Sequence, residues 1–489
     1  AARDGDAAGS SLAASFCDPA SVPPETSAAF SRWASSHVQW PPPDRLRSFL
    51  EIRCGQMLGT HAVAKSAFST GDLVLSEKAL LHIPDLPPKT EAELERRFGG
   101  KAHFMAPAVT VDWTSVDEDV RQAALRLFWS HPLMNDQQGE LVGDNVKVCT
   151  DLKNWHTPLQ GRWDVHDLMR FLHIVDLNIH RDNEVPEHLK FSGIFVLGSK
   201  FSHSCAPNCS WSFSKDGYLQ YHTIRPIEAG ELLTFSYIGN GMNLITSTLH
   251  RRRRLGSLWF VCQCSRCAGP DLARQMRCPR CGAQRCLPDY GAGDHGPHGG
   301  GWEGRRPLHD LIQDARVWRC TDCGGTSNSA DMPLRDEEEL SRRIPDAMQG
   351  APETACDDAH ALGQLREHAA RTVGTMHWTW ALTTFAWLQK CLVQLRSEPV
   401  IYFGELELGV ASTAVSRWLQ ACCFENVKQR ASALFIAVRL ADDLGGHISK
   451  WGYDPDDLLG GSFRAAACLA EHGWRLKGGH VEWLGEPRS

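Results

Sequence analysis

Short apolar runs separated by turns dominate the first part of the chain and predict strands rather than long helices. Residues 52–81 alternate loop and strand, and the turn 69–72 precedes an apolar strand that ends at Glu77. Around a second turn, residues 211–213 and 218–221 predict two more short strands. The pattern therefore indicates a fold built from small sheets.

Apolar residues at spacings of three and four predict helices in two other parts of the chain. One set lies between the strands, and the other occupies the chain from about residue 355 onwards. The predicted helices cover residues 28–37, 91–98, 116–128, 163–177, 373–395, 411–444 and 465–476. Strands and helices together predict the α+β class, with helices inserted between small sheets and an α-helical C-terminal domain.

Two segments between these elements are candidates for chemistry. The apolar run 232–238 predicts a strand with Tyr237 close to its end. A tyrosine in this position is either an amphipathic core residue with its hydroxyl at the rim or part of a functional site. The segment 201–208 is a dense polar and sulfur cluster, and Pro207 disfavours helical geometry in the residue before it. We therefore expect a polar turn there.

Cysteine spacing indicates a first metal site. Cys262, Cys264 and Cys267 are close enough to form one face of a tetrahedral zinc site, and Cys205 in the polar turn is the natural fourth ligand. The alternative is a set of free buried cysteines, which are common as small apolar side chains.

Two CxxCG motifs farther along the chain indicate a second metal site. Such a pair predicts a zinc ribbon, which is a closed structural site. Cys286, His295 and His298 in the interval are interpreted as loop residues. The ribbon either binds a partner or only stabilises this region. Its four ligands would be Cys278, Cys281, Cys320 and Cys323.

Composition narrows the class of protein. The chain has 489 residues and a net charge of −7, so no overall basic character favours direct nucleic-acid binding. No apolar run reaches the roughly 18 residues of a membrane span, and the first residues lack the apolar core of a secretory signal. The 18 cysteines, arranged partly in CxxC pairs, favour zinc and a reducing compartment over disulfides. We expect a cytoplasmic or nuclear protein, or one present in both.

The stretch from residue 193 to residue 267 resembles the C-terminal half of a SET domain, most closely that of the SMYD type of SET lysine methyltransferase. The resemblance rests on three blocks in matching order and spacing, at residues 193–208, 230–237 and 251–267. They read Gly-Ile-Phe leading to His-Ser-Cys-Ala-Pro-Asn, then Gly-Glu-Leu-Leu-Thr before a tyrosine, then arginines, a leucine and the three cysteines. Three residues depart from the family pattern: Ser202 replaces asparagine, Leu232 replaces glutamate, and Phe195 replaces tyrosine.

Residues 52–81 are similar to the N-terminal part of a SET domain, where a glycine-rich loop wraps the cofactor. Asn178 falls where the SMYD family has an asparagine at the methionine end of the cofactor, and its other interpretation is a helix C-cap. On this resemblance the cofactor loop would contain Gly59, Thr60 and His61.

The resemblance does not extend to the whole SMYD architecture. Only Cys149 lies between Glu77 and Cys205, so the MYND finger of that family is absent. The C-terminal helices look similar to the TPR-like domain of SMYD proteins. The basic run 251–254 is a nuclear import signal, a nucleic-acid patch, or the polar face of a short helix before the zinc site.

The resemblance implies a protein-lysine N-methyltransferase that uses S-adenosyl-L-methionine. The two cysteine patterns together predict two structural Zn²⁺ ions. The partner of the enzyme would be a protein presenting a lysine side chain, such as a histone tail, and the chain would be monomeric. The catalytic residues, which would line the lysine channel, would be Tyr237, Phe195 and Phe235. The cofactor would be held by Gly59, Thr60, His61, Asn178, Ser202, His203, Asn208 and Tyr237.

Two other functions are compatible with the same residues. One is a catalytically weak or inactive SET-fold adaptor that binds a partner through its ribbon and helical domain. The other is an enzyme that methylates a different side chain, such as histidine.

These interpretations divide the chain into seven regions. They are an N-terminal tail and helix (1–48), the SET N-terminal part (49–84), a helical insert (85–190), the SET C-terminal part (191–240), a post-SET zinc site (241–270), a zinc ribbon (271–335) and a helical C-terminal domain (336–489).

Overall fold

The computed structural model describes residues 34–42, 44–55, 59–125, 127, 139–181, 192–214, 216–239, 242–256, 258, 260–290, 314–348, 355–394, 474–477 and 480–483. The strands in these ranges are β1 (Val38–Trp40), β2 (Leu50–Gly55), β3 (Gly59–Ala64), β4 (Leu73–Lys78), β5 (Leu81–His82), β6 (His180–Arg181), β7 (Ser192–Ile194), β8 (Ser202–His203), β9 (Cys209–Phe213), β10 (Tyr218–Thr223), β11 (Thr234–Phe235), β12 (Cys286–Asp289), β13 (Val317–Cys320), β14 (Thr326–Asn328), β15 (Trp474–Lys477) and β16 (His480–Trp483). The α-helices are α1 (Leu46–Phe49), α2 (Pro88–Phe98), α3 (Ala102–Thr110), α4 (Glu118–Leu125), α5 (Gly139–Trp155), α6 (Val165–Asn178), α7 (Met242–Ile245), α8 (Thr248–Gly256), α9 (Ser265–Ala268), α10 (Leu334–Met348), α11 (Ala355–Thr372) and α12 (Trp378–Gln394).

The chain divides into two units, and each is discontinuous in sequence. Unit 1 comprises Ala1–Ser202, Trp211–Thr234 and Gly300–Arg305. Unit 2 comprises His203–Ser210, Phe235–Gly299 and Arg306–Ser489. Two of the boundaries, after Ser202 and after Thr234, fall inside the segments 201–208 and 232–238 that the sequence marks as candidates for chemistry.

Within the described residues, unit 1 contains three small sheets, the first of which includes the part of β9 from Trp211 onwards. The largest has the order β1-β4-β10-β9, and β4 pairs antiparallel with both β1 and β10. In this register Leu219 lies opposite Glu77 and Tyr221 lies opposite Leu75, and all four side chains are buried. The hairpin of β2 and β3 and the sheet β5-β7-β6 complete the set. The predicted fold of small sheets is thus confirmed.

The helices inserted between β5 and β6 form a separate apolar core within unit 1. Trp113 is at its centre, with ring-centroid distances of 4.9 Å to Trp163 and 5.0 Å to Phe171, both edge-on. Helix α6 begins after Asp164 because that carboxylate accepts hydrogen bonds from the backbone N–H groups of residues 166 and 167. This cap fixes the start of the helix that ends at Asn178.

Unit 2 combines the cysteine-rich segments with helices α10, α11 and α12. Its ribbon is the three-stranded antiparallel sheet β12-β13-β14, in which Cys286 lies opposite Cys320. Leu340 and Ile344 on α10 and Leu365 on α11 belong to the same buried core as the cysteines. A continuous core therefore joins the ribbon to these helices.

The structure confirms helices at 91–98, 118–125 and 165–177, and corrects two other elements. Residues 232–238 do not form one continuous strand, since the strand in this segment comprises only Thr234 and Phe235. It ends there because the chain turns at Ser236, whose hydroxyl donates to the Gly239 carbonyl at 2.6 Å. The predicted helix 465–476 is wrong at its end, where residues 474–476 belong to β15 and pair with β16. The predicted helix 411–444 lies outside the described residues.

Candidate functional site

Four thiols in unit 2 converge as the spacing of the cysteines predicts. Cys205 follows β8, and the other three surround the start of α9. The Cys205 sulfur lies 3.9 Å from that of Cys262 and 3.5 Å from that of Cys267, and all four sulfurs lie within 4.8 Å of one another. A tetrahedral zinc site with Zn–S bonds of about 2.3 Å has sulfur–sulfur edges of about 3.8 Å. The four residues, Cys205, Cys262, Cys264 and Cys267, therefore fit Zn²⁺, and their role as its ligands stays a prediction.

Within this first site the pKa of Cys264 and of Cys267 is lowered, towards the thiolate form, and the pKa of Cys205 and of Cys262 is raised. Hydrogen bonding with the Cys205 thiol lowers the pKa of Cys264 and of Cys267. Thiolate, not thiol, is the ligand of zinc. Zinc bound here would supply folding energy, since it would tie β8 to α9.

Buried arginines surround the first site, which corrects the interpretation of residues 251–254 as a polar helix face. Arg251 and Arg252 on α8 are 1% and 4% exposed. Burial alone would lower the pKa of the Arg251 guanidinium, but the Cys267 and Cys205 sulfurs raise it above its ordinary value. Arg253 and Arg254 are exposed. Only half of the basic run therefore faces solvent.

The second cluster belongs to the ribbon. The sulfurs of Cys278 and Cys323 are 3.9 Å apart, and those of Cys281 and Cys320 are 3.7 Å apart, again the edges of a zinc tetrahedron. Each CxxC turn closes with a glycine in the left-handed region, Gly282 at φ +77° and Gly324 at φ +68°. Their N–H groups donate to the carbonyls of Cys278 and Cys320.

Two other cysteines depart from expectation. Cys286 is not a loop residue: it begins β12, is buried, and burial raises its pKa to about 12. Cys54, at the penultimate position of β2, is disulfide-bonded, although the sequence favours zinc over disulfides. The predicted loop residues His295 and His298 lie outside the described residues.

His203 connects Tyr237 to the first cysteine cluster. Its Nδ1 accepts a hydrogen bond from the Tyr237 backbone N–H at 3.0 Å, so the ring proton resides on Nε2. Nε2 lies 3.3 Å from the Cys205 sulfur and therefore donates to it. Burial lowers the pKa of His203 to about 4, which keeps the ring neutral near pH 7. The His203 side chain, which was expected to hold the cofactor, thus binds the Tyr237 backbone and the sulfur of Cys205.

Aromatic rings surround Tyr237. Its ring centroid is 4.9 Å from that of Phe235, 5.3 Å from that of His203 and 6.1 Å from that of Phe260. Although 38% of Tyr237 is exposed, desolvation raises the pKa of its phenol. The phenol is therefore protonated near pH 7 and is available as a hydrogen-bonding group rather than as a base.

In unit 1, a buried carboxylate holds the loop that follows Phe195. Glu77 accepts hydrogen bonds from the backbone N–H groups of Val196 at 2.8 Å, Leu197 at 3.1 Å and Gly198 at 2.8 Å. Burial raises the pKa of Glu77 to about 7, against the lowering effect of these donors. Sequence marks Glu77 only as a strand end. Its partners lie about 120 residues away, and no local pattern indicates them.

A second set of buried contacts holds the same loop at the carbonyl of Gly198. The Tyr221 hydroxyl lies 2.7 Å from His180 Nε2 and 3.3 Å from the Gly198 carbonyl, and His180 Nδ1 lies 3.2 Å from the carbonyl of Asn178. Burial lowers the pKa of His180 to about 4, so it is neutral. His180 and Tyr221 were missed by sequence reasoning because 41 residues separate them.

The remaining expected residues are distributed over both units. Gly59, Thr60 and His61 lie in β3 rather than in a loop, opposite Gly55, Cys54 and Arg53. The Asn178 amide donates to the Ile174 carbonyl at 2.7 Å at the end of α6. In unit 1, Ser202 N–H donates to the Leu233 carbonyl, and Phe195 is fully buried. In unit 2, Asn208 is buried. Their joint role in cofactor binding stays a prediction.

Comparison with known proteins agrees with the predicted domain. Residues 59–238 match the family model described as SET domain. The putative SET domain-containing protein L678 of Acanthamoeba polyphaga mimivirus is 40% identical over 81 residues, which are 16% of this chain and 30% of that protein. Histone-lysine N-methyltransferase SMYD3 of Mus musculus is 38% identical over 84 residues, 17% of this chain and 19% of the relative. The matches thus span less than a third of these relatives.

Among solved structures, the chain is similar to the crystal structure of the SET domain of LSMT bound to lysine and AdoHcy, with a TM-score of 0.32 and 13% identity over 87% of this chain and 90% of that one. Within the described ranges, no helix is long and apolar enough to cross a membrane. The chain contains a SET domain, as the resemblance predicts.

Proposed function

We propose that this SET domain catalyses S-adenosylmethionine-dependent methylation of a lysine side chain on a protein substrate. The observation that supports it best is the anchoring of Tyr237. His203 accepts a hydrogen bond from the Tyr237 backbone and lies beside Cys205, and all three residues lie in the segment that matches the SET domain model. The mouse relative is named a histone-lysine N-methyltransferase, so a histone tail is one substrate class to test.

The reaction is a direct displacement. The neutral lysine amine would form a bond to the methyl carbon as the carbon–sulfur bond breaks, S-adenosylhomocysteine would leave, and the ammonium product would lose a proton to water. Bound S-adenosylmethionine supplies an electrophilic methyl group on a sulfonium. The protein's contribution is alignment of three atoms in a line, which accounts for most of the rate in such reactions.

In this proposal the Tyr237 phenol orients the amine and contacts the methyl group. A CH···O contact is worth only about 0.5–1 kcal/mol, so position matters more than contact strength. The protonated phenol accepts such contacts and does not remove the proton itself. The aromatic surroundings of Tyr237, with Phe235 and Phe260, suit the apolar stem of lysine and disfavour its charged form.

The residues that the resemblance assigns to the cofactor remain its candidates. Gly59, Thr60, His61, Asn178 and Ser202 are the candidates in unit 1, and His203 and Asn208 are those in unit 2. His203 would contribute through its backbone, because both ring nitrogens face protein atoms. Phe195, which the resemblance assigns to the lysine channel, is completely buried against His180 and Phe213 within unit 1.

Tyr237→Phe tests the proposal. We expect methyl transfer from labelled S-adenosylmethionine to histones or lysine peptides to fall about 100-fold, as for loss of an orienting hydroxyl. Cofactor affinity by calorimetry should stay within about threefold, because the phenol aligns rather than binds. Tyr218→Phe, a tyrosine of β10, is the matched control and should behave as wild type. Loss of cofactor binding in Tyr237→Phe would show that the phenol has another role.

The adaptor is the second candidate, and Ser202 is the observation that favours it. Serine stands where SET proteins of the SMYD type have asparagine, and its backbone N–H is already used by Leu233. Titration of the wild-type chain with S-adenosylmethionine separates the two functions. No binding heat at millimolar cofactor would favour the adaptor, and binding without transfer to any lysine would favour a different acceptor side chain.

A further inference from the structure

Three arginines around the first cysteine cluster are buried. Arg251, Arg252 and Arg266 are 1%, 4% and 3% exposed. Buried guanidinium groups are costly unless an opposite charge lies close to them. A zinc ion with four thiolate ligands is a dianion, and this is the charge that such a cluster brings into the protein interior.

The contacts connect each arginine to a different part of the cluster. Arg251 Nη2 lies 3.6 Å from the Cys267 sulfur, and the same nitrogen donates to the Thr248 hydroxyl at 3.0 Å. Arg252 donates to the carbonyls of Cys267 at 2.9 Å and Cys262 at 3.3 Å. Arg266 donates to the carbonyl of Cys205 at 3.1 Å.

These contacts include three of the four ligand residues, and one of them reaches a ligand sulfur. Arg251 neutralises charge at the sulfur itself, whereas Arg252 and Arg266 fix the backbone from which the ligands project. All three positive charges lie on one short stretch of chain, residues 251–266, next to the ligands.

The ribbon cluster provides an internal comparison. Cys281 and Cys323 are exposed, so water screens the charge of that cluster. The nearby Arg285 is paired with Asp322 at 3.4 Å on the surface, with 66% of its side chain exposed. Two clusters with the same ligands thus differ in how their charge is balanced.

We propose that Arg251, with Arg252 and Arg266, is the built-in counter-charge of the first zinc site and sets how tightly this site retains its metal. The ribbon site does not depend on these residues. Arg251 is a positioning residue: it touches no substrate and acts through the ligands. The inference concerns the metal site alone and stands whether or not the domain transfers methyl groups.

The test compares the two sites in the same full-length, zinc-loaded chain. Samples are challenged with EDTA, and exposed thiols are trapped with N-ethylmaleimide and located by peptide mass spectrometry. For Arg251→Gln we expect alkylation of Cys262, Cys264 and Cys267 to become about 10- to 100-fold faster, the usual effect of losing an outer partner of a metal ligand. Alkylation of the ribbon cysteines should be unchanged.

Two further variants separate the effect of charge from that of side-chain shape and from a general effect of losing an arginine. Arg251→Lys retains the charge but not the planar fork, so its rate should lie between those of wild type and Arg251→Gln. Arg285→Gln removes a surface arginine beside the ribbon and should change neither site. The proposal is overturned if Arg251→Gln retains zinc like wild type, if both sites open together, or if Arg251→Lys is as labile as Arg251→Gln.

Discussion

The cost of Glu337→Gln can be worked out from the structure of unit 2. Glu337 on α10 is 4% exposed and pairs with Arg274, which is 2% exposed, at 2.6 Å. The carboxylate also accepts a hydrogen bond from the Trp378 indole at 2.7 Å, and His377 Nε2 lies 3.2 Å away. It therefore joins the start of the ribbon segment to α10 and α12.

Replacement by glutamine keeps the shape but removes the charge. Arg274 would then be buried with only the partly exposed Asp314 as its acidic partner, at 2.9 Å. Breaking a buried ion pair on one side costs about 3–5 kcal/mol. Because Asp314 remains, we expect a loss of about 3 kcal/mol, at the lower end of that range.

The assay must report on this part of the chain, since two units need not unfold together. Native-state hydrogen exchange of amides in α10 and α12 gives the local free energy of opening. The matched control is Glu339→Gln, two positions along the same helix. Glu339 pairs with Arg343 at 3.1 Å and is half exposed, so its loss should cost at most about 1 kcal/mol. Equal effects of the two changes would refute the reasoning.

Three more predictions concern pH, the Glu77 loop and the ribbon turn. Burial alone would raise the pKa of Glu337, but Arg274 and His377 lower it well below its ordinary value. Its stabilisation is therefore complete above the ordinary carboxyl pKa and is lost as pH falls through the depressed one, so the difference between wild type and Glu337→Gln should shrink on acidification. Glu77→Ala leaves three N–H groups without their acceptor and should cost about 3 kcal/mol or more, measured by exchange of the amides of residues 196–198. Unchanged exchange there would contradict the role of Glu77. Gly324→Ala places a side chain at φ +68° with open space around it, so only backbone strain of about 1 kcal/mol is expected. Zinc binding at the ribbon should therefore become about fivefold weaker, and zinc binding at the first site should not change. A drop at both sites would show that the turn is not local.

The cysteine sites were predictable from sequence because their ligands come in closely spaced groups. Three thiols within six positions leave few arrangements other than a metal site, and only Cys205 had to be found at a distance. The charged run 251–254 shows the opposite case. Four consecutive arginines indicate a solvated face, and only the position of the cysteines in space explains why two of them are buried.

Long-range contacts limited the rest of the prediction. The sequence predicts that Glu77 ends a strand, but its side chain accepts hydrogen bonds from a loop about 120 residues later, which no local pattern indicates. Tyr237 was assigned to a strand because its neighbours are apolar, whereas a hydroxyl-to-carbonyl bond and the positive φ of Gly239 place it in a turn. The assignment of residues to cofactor binding is still a prediction.

The division of the chain after residues 202 and 234 limits which fragments can be expressed with a complete metal site. Residues 203–210 belong to unit 2 although unit 1 surrounds them in the sequence. A fragment that starts after residue 234 would contain three thiols of the first cluster without Cys205. Such a piece would present a metal ion with an open position, and we expect it to oxidise or aggregate rather than to fold. Dissection by point substitution in the intact chain avoids that artefact.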